Sequence, residues 1–168
     1  MYNNKGYSKN YRGNPNSTPP IAPRVKIKSF YIEGTKDVKP ELFASEAEAI
    51  AGGFIGTDEE GRSGKVTKTQ IRRLYDEVKR FEQILNGSPE KWKKNYPLIK
   101  MIVSKASYNV TRAKQDQKFN ENRKVYDNLY EFIKEGIGLI NDENDYRVFK
   151  TLFEAVYGFY YVKNPTTD

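Results

Sequence analysis

The chain has 168 residues, and its 29 Lys or Arg against 22 Asp or Glu give a formal net charge of +7. It contains no cysteine and no histidine, which excludes thiol nucleophiles, imidazole bases and Cys/His zinc sites. No stretch has the roughly 18 consecutive apolar residues of a membrane span, and the first residues form no secretory signal. We therefore expect a cytoplasmic protein without a cofactor and without membrane association.

The excess positive charge is concentrated in the middle of the chain. Residues 65–118 contain 14 basic and 5 acidic side chains, whereas residues 119–168 contain 6 and 9. A basic segment of this kind favours an anionic partner.

The first 64 residues show little of the periodicity of a packed helix. Residues 1–40 are rich in Asn, Tyr, Gly, Ser and Pro, a composition that predicts a disordered tail. Residues 41–64 are predicted to form a short helix, in which Ser45 and Glu48 have the spacing of a capping box, followed by a glycine-rich loop.

Residues 65–163 have the apolar periodicity of amphipathic helices. The first helix is predicted to begin at a capping box formed by Thr67 and Gln70 and to end at Asn86-Gly87. A short turn near Ser88 precedes a longer helix that has Pro97 in its first turn. This longer helix is predicted over about 97–115, and two further helices are predicted over about 120–140 and 145–161. The pattern predicts an all-α fold, a small antiparallel helical bundle of about four to five helices with the disordered N-terminal tail attached.

Two motifs that suggest chemistry do not meet its requirements. Residues 61–65 resemble a phosphate-binding loop, but that pattern needs Gly at Glu59 and Ser or Thr at Val66. The carboxylate clusters at 58–60 and 142–145 lack the alternate spacing and the glycine of a calcium loop. We therefore predict no catalytic residues, no metal site and no enzymatic activity.

The basic side chains of the first helix lie in two strips, of which the first is beside its apolar face. Lys68, Arg72 and Lys79 share one strip, and Arg73 and Arg80 share the other. These strips are candidates for RNA binding, although one such helix by itself favours an ordinary solvated face that carries pairs such as Arg72 with Asp76.

A third candidate strip lies on the helix predicted over 97–115. Lys105, Tyr108 and Arg112 are spaced i, i+3 and i+7, opposite the apolar face of that helix. Two cations and an exposed aromatic ring on one strip can contact phosphates and stack on a base or ribose. Two adjacent basic helices with few acidic residues favour a nucleic-acid partner.

Three segments in series resemble the small subunit of type III-A (Csm-type) CRISPR effector complexes. They are residues 66–74 (VTKTQIRRL), 105–112 (KASYNVTR) and 153–160 (FEAVYGFY). The resemblance covers about residues 65–162, so that some 64 preceding residues exceed what the family leads us to expect. It implies an all-α RNA-binding domain over 65–163 that has no nuclease activity.

The same resemblance implies partners and contact residues. Copies of the subunit would stack head to tail along the effector and contact the guide RNA–target RNA duplex, together with the backbone-forming and large subunits. The match assigns RNA-facing roles to Arg72, Lys105, Tyr108 and Arg112. The charge pattern alone nominates the remaining candidates, Lys68, Arg73, Lys79 and Arg80.

Two other functions remain compatible with the sequence. One is a stand-alone protein that binds single-stranded nucleic acid without sequence preference, and the other is a helical adaptor whose basic faces bind an acidic protein. Co-purification with guide RNA and other CRISPR subunits would exclude the first. Salt-dependent binding to nucleic acid would argue against the second.

Overall fold

The computed structural model describes residues 18–115 and 122–164. The helices are α1 (Ser45–Gly52), α2 (Lys68–Leu85), α3 (Pro89–Lys100), α4 (Ile102–Gln115), α5 (Lys124–Gly138) and α6 (Glu143–Lys163), and the strands are β1 (Ile55–Thr57) and β2 (Ser63–Lys65). A 3-10 helix over Pro40–Phe43 precedes α1. The predicted all-α helical bundle is confirmed. Within these ranges, no helix combines the length and the apolar character needed to cross a membrane.

Both ends of α2 form as their sequence predicts. The Thr67 hydroxyl accepts a hydrogen bond from the Gln70 amide at 3.2 Å, and Gln70 Oε1 accepts one from the Thr67 amide at 3.0 Å. At the other end Asn86 and Gly87 adopt φ values of 42° and 72°, the left-handed conformation that ends a helix. The capping box and the Asn-Gly stop are therefore confirmed.

The predicted boundary between the short turn and the next helix is wrong. Residues from Pro89 onward form a full helix, α3, whose first turn is capped by the Ser88 hydroxyl accepting from the Lys91 amide at 3.3 Å. Pro97 lies inside α3 rather than at the start of α4. Because Pro97 is exposed, the carbonyl that loses its amide partner there can bond to water. The chain turns at Met101, and α4 begins at Ile102.

The predicted capping box at Ser45 is also wrong. The N-cap of α1 is Ala44, which offers no side-chain acceptor, and Ser45 already lies in the first helical turn. The Glu48 amide bonds instead to the Ala44 carbonyl at 2.9 Å. A preceding 3-10 turn leads the chain directly into α1, so the helix starts without a side-chain cap.

The segment predicted as a glycine-rich loop contains a small antiparallel hairpin. Its strands β1 and β2 pair Ile55 with Lys65 and Thr57 with Ser63. The Asp58 carboxylate closes the turn, since it accepts hydrogen bonds from the Arg62 amide and Arg62 Nε, both at 2.8 Å. These three-residue strands are too short to show an alternating pattern in the sequence.

Residues 18–40, which the sequence analysis included in the tail, contain the buried residues Ile27 and Phe30, whereas residues 1–17 lie outside the described ranges. Residues 18–31, here called the N-terminal strap, begin beside β1. The Ile21 amide donates to the Thr57 carbonyl at 3.0 Å. The strap passes so close to Gly56 (φ 151°) that a Cβ atom there would lie 2.5 Å from Ile21 Cα. The glycines near 52–56 therefore admit the strap as well as the turn.

The strap is also fixed to α5 and α6 by side chains. Arg24 Nη1 bonds to Glu135 Oε1 at 2.5 Å, and Glu135 Oε2 accepts from the Ile27 amide at 3.0 Å. Phe30 is 1% exposed and stacks on Phe149 with the ring centroids 6.4 Å apart. These contacts span more than 100 residues of sequence, so local composition does not reveal them.

An aromatic cluster on α5 and α6 forms the centre of the core. Phe132 on α5 lies 5.6 Å from Phe149 and 5.2 Å from Phe153 of α6, measured between ring centroids. Gly136 leaves the room that Phe149 fills, since a Cβ at that position would lie 1.9 Å from the ring. Phe153 also packs edge-on against Tyr75 of α2 at 5.6 Å, which joins α2 to the same core.

We predict that the strap contributes to global stability. Phe30→Ala should lower the free energy of unfolding by about 3–5 kcal/mol, because it empties a buried aromatic position. Urea denaturation followed by circular dichroism measures this loss. Ile32→Ala is the matched control, since Ile32 is 45% exposed and its truncation should change stability by less than about 1 kcal/mol. Equal stability of the two variants would show that the strap does not pack as described.

Candidate nucleic-acid interface

The structure separates the candidate residues of α2 onto two sides of that helix. The apolar face of α2 is buried, with Ile71, Val78 and Phe81 at most 1% exposed. One basic strip consequently borders α4 and the other borders α6. Arg73 and Arg80 lie on the α4 side together with the α4 candidates. Lys68, Arg72 and Lys79 lie on the α6 side.

An open groove runs between α2 and α4, here called the α2–α4 groove. It consists of two adjoining depressions of about 700 and 330 Å³. The larger is lined by Arg73, Asp76, Glu77, Ser104, Lys105, Tyr108 and Asn109, and the smaller by Gln70, Arg73, Asn109, Arg112 and Ala113. Arg73 and Asn109 belong to both depressions, which makes them one continuous surface. The groove thus brings together candidates that are more than 30 residues apart in the sequence.

Two guanidinium groups in the groove are available to a ligand. Among the described residues, neither Arg73 nor Arg112 has an ion-pair partner, and both residues are exposed. Tyr108, between Lys105 and Arg112 on α4, is 65% exposed. Free guanidinium groups beside an exposed ring match the requirements of phosphate pairing and of stacking on a base or ribose.

Lys105 is positioned by an acidic neighbour rather than left free. Its Nζ donates to Glu77 Oε2 at 2.8 Å, and Arg80 Nε lies 3.5 Å from the same oxygen. The Glu77 and Lys105 side chains are 33% and 35% exposed, so water screens the pair only in part. Glu77 therefore fixes the position of one groove cation and offsets part of its charge.

The α6 side of α2 carries cations over aromatic rings. Lys68 Nζ lies 4.7 Å from the centre of the Tyr161 ring, and Lys79 Nζ lies 5.6 Å from that of Tyr75. Burial, followed by the charges of Glu154 and Glu82, raises the pKa of Tyr75 to about 12. Tyr75 therefore stays neutral at physiological pH, and its ring can form a cation–π interaction with Lys79.

Arg72 does not join the residues with which the family resemblance groups it. Its Nε lies 3.8 Å from Asp76 Oδ2, and both side chains are more than 60% exposed. Arg72 also lies near the Tyr157 hydroxyl, whose pKa is raised to about 12 by burial and by its hydrogen bond to Tyr161. The geometry therefore groups Lys105, Tyr108 and Arg112 with Arg73, and leaves Arg72 on the α6 side.

Several residues of the groove were not predicted from the sequence. Gln70 was recognised only as part of a cap, yet it lines the smaller depression, and its Oε1 accepts from the Tyr126 hydroxyl at 2.9 Å. Asn109 and Glu77 line the groove as well. Asn109 directly follows Tyr108, and Gln70 and Glu77 each lie two positions from a predicted cation on α2, but uncharged and acidic side chains carry no signal in a search for cationic strips.

Titratable groups in the described ranges form no evident metal centre. No group of three or more His, Cys, Asp or Glu residues in those ranges is arranged to hold a metal ion. Of the carboxylates at 58–60, which the sequence analysis considered, Asp58 and Glu60 interact with Arg62 instead. That pairing, together with the amide bonds to Asp58, lowers the pKa of the Asp58 carboxyl even though partial desolvation opposes it.

The fold and its basic groove define a small helical protein suited to an anionic partner. The family model Csm2 Type III-A matches residues 38–165. The match covers well over half of the chain, so the chain belongs to this family and is a subunit of a type III-A CRISPR complex, in which the family is the structural small subunit. The resemblance seen in the sequence is confirmed. No match is found among curated proteins or among solved structures.

The extent of the match corrects the boundary drawn from the sequence. The matched region begins at residue 38 and therefore includes α1 and the hairpin, which the sequence analysis had assigned to an N-terminal extension. Helix α1 packs closely against α6, so these elements belong to the same packed body. The N-terminal strap precedes the matched region.

Proposed function

We propose that this chain is a non-catalytic RNA-binding structural subunit of a type III-A CRISPR ribonucleoprotein, in which it lines the guide RNA–target RNA duplex and supports antiviral defence. The observation that supports this proposal most directly is the α2–α4 groove. There Arg73 and Arg112 point to phosphate binding, since neither has an ion-pair partner in the described parts of the chain.

The groove favours recognition of the nucleic-acid backbone over recognition of sequence. Pairing between guide and target already reads the sequence, so a subunit beside the duplex needs to contact only phosphates and riboses. Guanidinium groups suit this role, because they bind phosphate in a fixed, bidentate geometry. Tyr108 adds a ring that can pack against a ribose or an exposed base.

A structural role also agrees with the chemistry of the groove. The chain has no histidine or cysteine, and Glu77 is held by Lys105 and Arg80 rather than paired with a second carboxylate. General acid–base catalysis needs positioned groups whose pKa values lie near the working pH. Binding, rather than cleavage, is the function that these side chains support.

Charges at the two ends of α2 support contacts between copies. Helix α3 follows the end of α2 and carries Lys91, Lys93 and Lys94, which are exposed and have no ion-pair partner in the ranges that the structure describes. The hairpin that carries Glu59 and Glu60 in its turn leads into the start of α2. The two ends are about 27 Å apart along the helix. A contact between unlike ends of successive copies can propagate along an RNA.

We predict that Arg73→Ala and Arg112→Ala each weaken binding to a guide–target RNA duplex and reduce the slope of log K against log salt by about one. Each loss removes one phosphate contact, and neither change should unfold the protein, because both residues are exposed. Fluorescence anisotropy over a salt series measures both effects. Arg147→Ala on α6, where Arg147 bonds to Glu143, removes the same charge outside the groove and should leave the slope unchanged. Equal slopes for all three variants would contradict the proposal.

We also predict weak self-association that decreases with salt and increases when RNA is present. Reversal of the α3 charges in a Lys91→Glu/Lys93→Glu variant should abolish it, because like charges would then meet at the contact. Light scattering over a concentration series, with and without duplex RNA, measures the mass. A wild-type protein that stays monomeric under every condition would exclude head-to-tail contacts mediated by this chain alone.

A further inference from the structure

The α2–α4 groove contains two carboxylates, Asp76 and Glu77, where a phosphate-binding surface should avoid them. Asp76 is 61% exposed and lies 3.8 Å from Arg72, whereas Glu77 is held by Lys105 of α4. Glu77 lines the larger depression beside Arg73, Lys105 and Tyr108. A negative charge at this place repels the phosphates of any bound nucleic acid. The presence of this carboxylate is explained if the ligand has a hydrogen-bond donor that can bind to a fixed acceptor.

The two oxygens of Glu77 are in different environments. Oε2 accepts from Lys105 Nζ at 2.8 Å and lies 3.5 Å from Arg80 Nε. In the described parts of the chain, Oε1 has no hydrogen-bond or ion-pair partner. Lys105 thus holds the carboxylate in place through one oxygen and leaves the other as a positioned acceptor.

The sugar–phosphate backbone of RNA offers one hydrogen-bond donor, the ribose 2′-hydroxyl. Phosphate and ring oxygens only accept, and deoxyribose lacks the donor altogether. Carboxylates bind ribose hydroxyls in this way in dinucleotide-binding folds. A fixed carboxylate in a groove that follows the backbone therefore matches the 2′-hydroxyl and no other backbone group.

On the basis of the proposed RNA-binding function, we infer that Glu77 accepts a hydrogen bond from a ribose 2′-hydroxyl and makes the α2–α4 groove selective for RNA over DNA. Arg73, which borders both depressions, binds the phosphate next to that ribose, and Lys105 acts as the positioning residue for Glu77. This division of roles gives backbone recognition without sequence preference. It also explains why a basic groove retains an acidic side chain.

The test compares two duplexes that differ in the donor alone. An RNA duplex of about 20 base pairs and the same duplex with 2′-fluoro groups in both strands both adopt A-form geometry, but only the first can donate to Glu77. We expect the wild-type chain to bind the ribose duplex about tenfold more tightly, the size expected of a hydrogen bond to a charged group. Anisotropy at one fixed salt concentration gives both dissociation constants.

Variants separate hydrogen bonding from charge. Glu77→Ala removes one negative charge and should raise affinity for the 2′-fluoro duplex, whereas the ribose duplex also loses its hydrogen bond, so that the preference for ribose should fall to less than about threefold. Glu82→Ala is the matched control, since it removes a carboxylate from the same helix at a residue that bonds to Lys150 instead of lining the groove. It should keep the full preference.

The outcomes distinguish this inference from the proposed function. Tight, salt-dependent binding of both duplexes without preference in the wild type would overturn the inference and leave the proposed function intact. A preference that persists unchanged in Glu77→Ala would overturn it as well. Failure of the wild type to bind any duplex would overturn both.

Discussion

Burial of a single face of α2 determines where the candidate contacts of that helix lie. Ile71, Val78 and Phe81 turn inward, so the basic side chains between them must lie along the two borders of the buried face. Helix α4 then sets its own cations opposite one border, which produces the α2–α4 groove. Without that burial the cations would be distributed around an isolated helix and would form no common surface.

The aromatic core fixes α2 relative to the rest of the bundle. Tyr75 reaches from α2 to Phe153 of α6, and the Tyr146 hydroxyl of α6 donates to the Val78 carbonyl at 2.9 Å. The strap reinforces this core from the other side, through Phe30 against Phe149. The groove is therefore supported by contacts that come from both ends of the sequence, which favours a rigid surface for a long and regular ligand such as a duplex.

The sequence predicts the helices well because their signals are local. The apolar period of α2 and the cap at Thr67 lie within a few residues of the features that they predict. The strap could not be predicted in this way, because Arg24 pairs with Glu135, which is 111 residues away in the sequence. The boundary between α3 and α4 was predicted wrongly because of Pro97. Proline favours the first turn of a helix but is also tolerated at an exposed interior position.

The groove was predictable only in part. The cationic strips follow from the helical period, and Arg73, Lys105, Tyr108 and Arg112 do line the groove. The pairing of Lys105 with Glu77 depends on the distance between two helices, which no periodicity specifies. Arg72 lies on the α6 side, away from the α4 candidates, because its position on α2 places it on the strip of Lys68 and Lys79. The residue types therefore identify candidate contacts, whereas the packed structure is needed to show which of them lie together.

Photo-crosslinking in the assembled complex tests the central claim most directly. A target RNA that carries 4-thiouridine at successive positions is bound to the complex, irradiated and digested, and the adducts on this subunit are located by mass spectrometry. The account predicts adducts on the tryptic peptide of residues 106–112, which contains Tyr108. Adducts confined to α3, or the absence of any adduct on α2 and α4, would contradict the claim that the α2–α4 groove lies against the RNA.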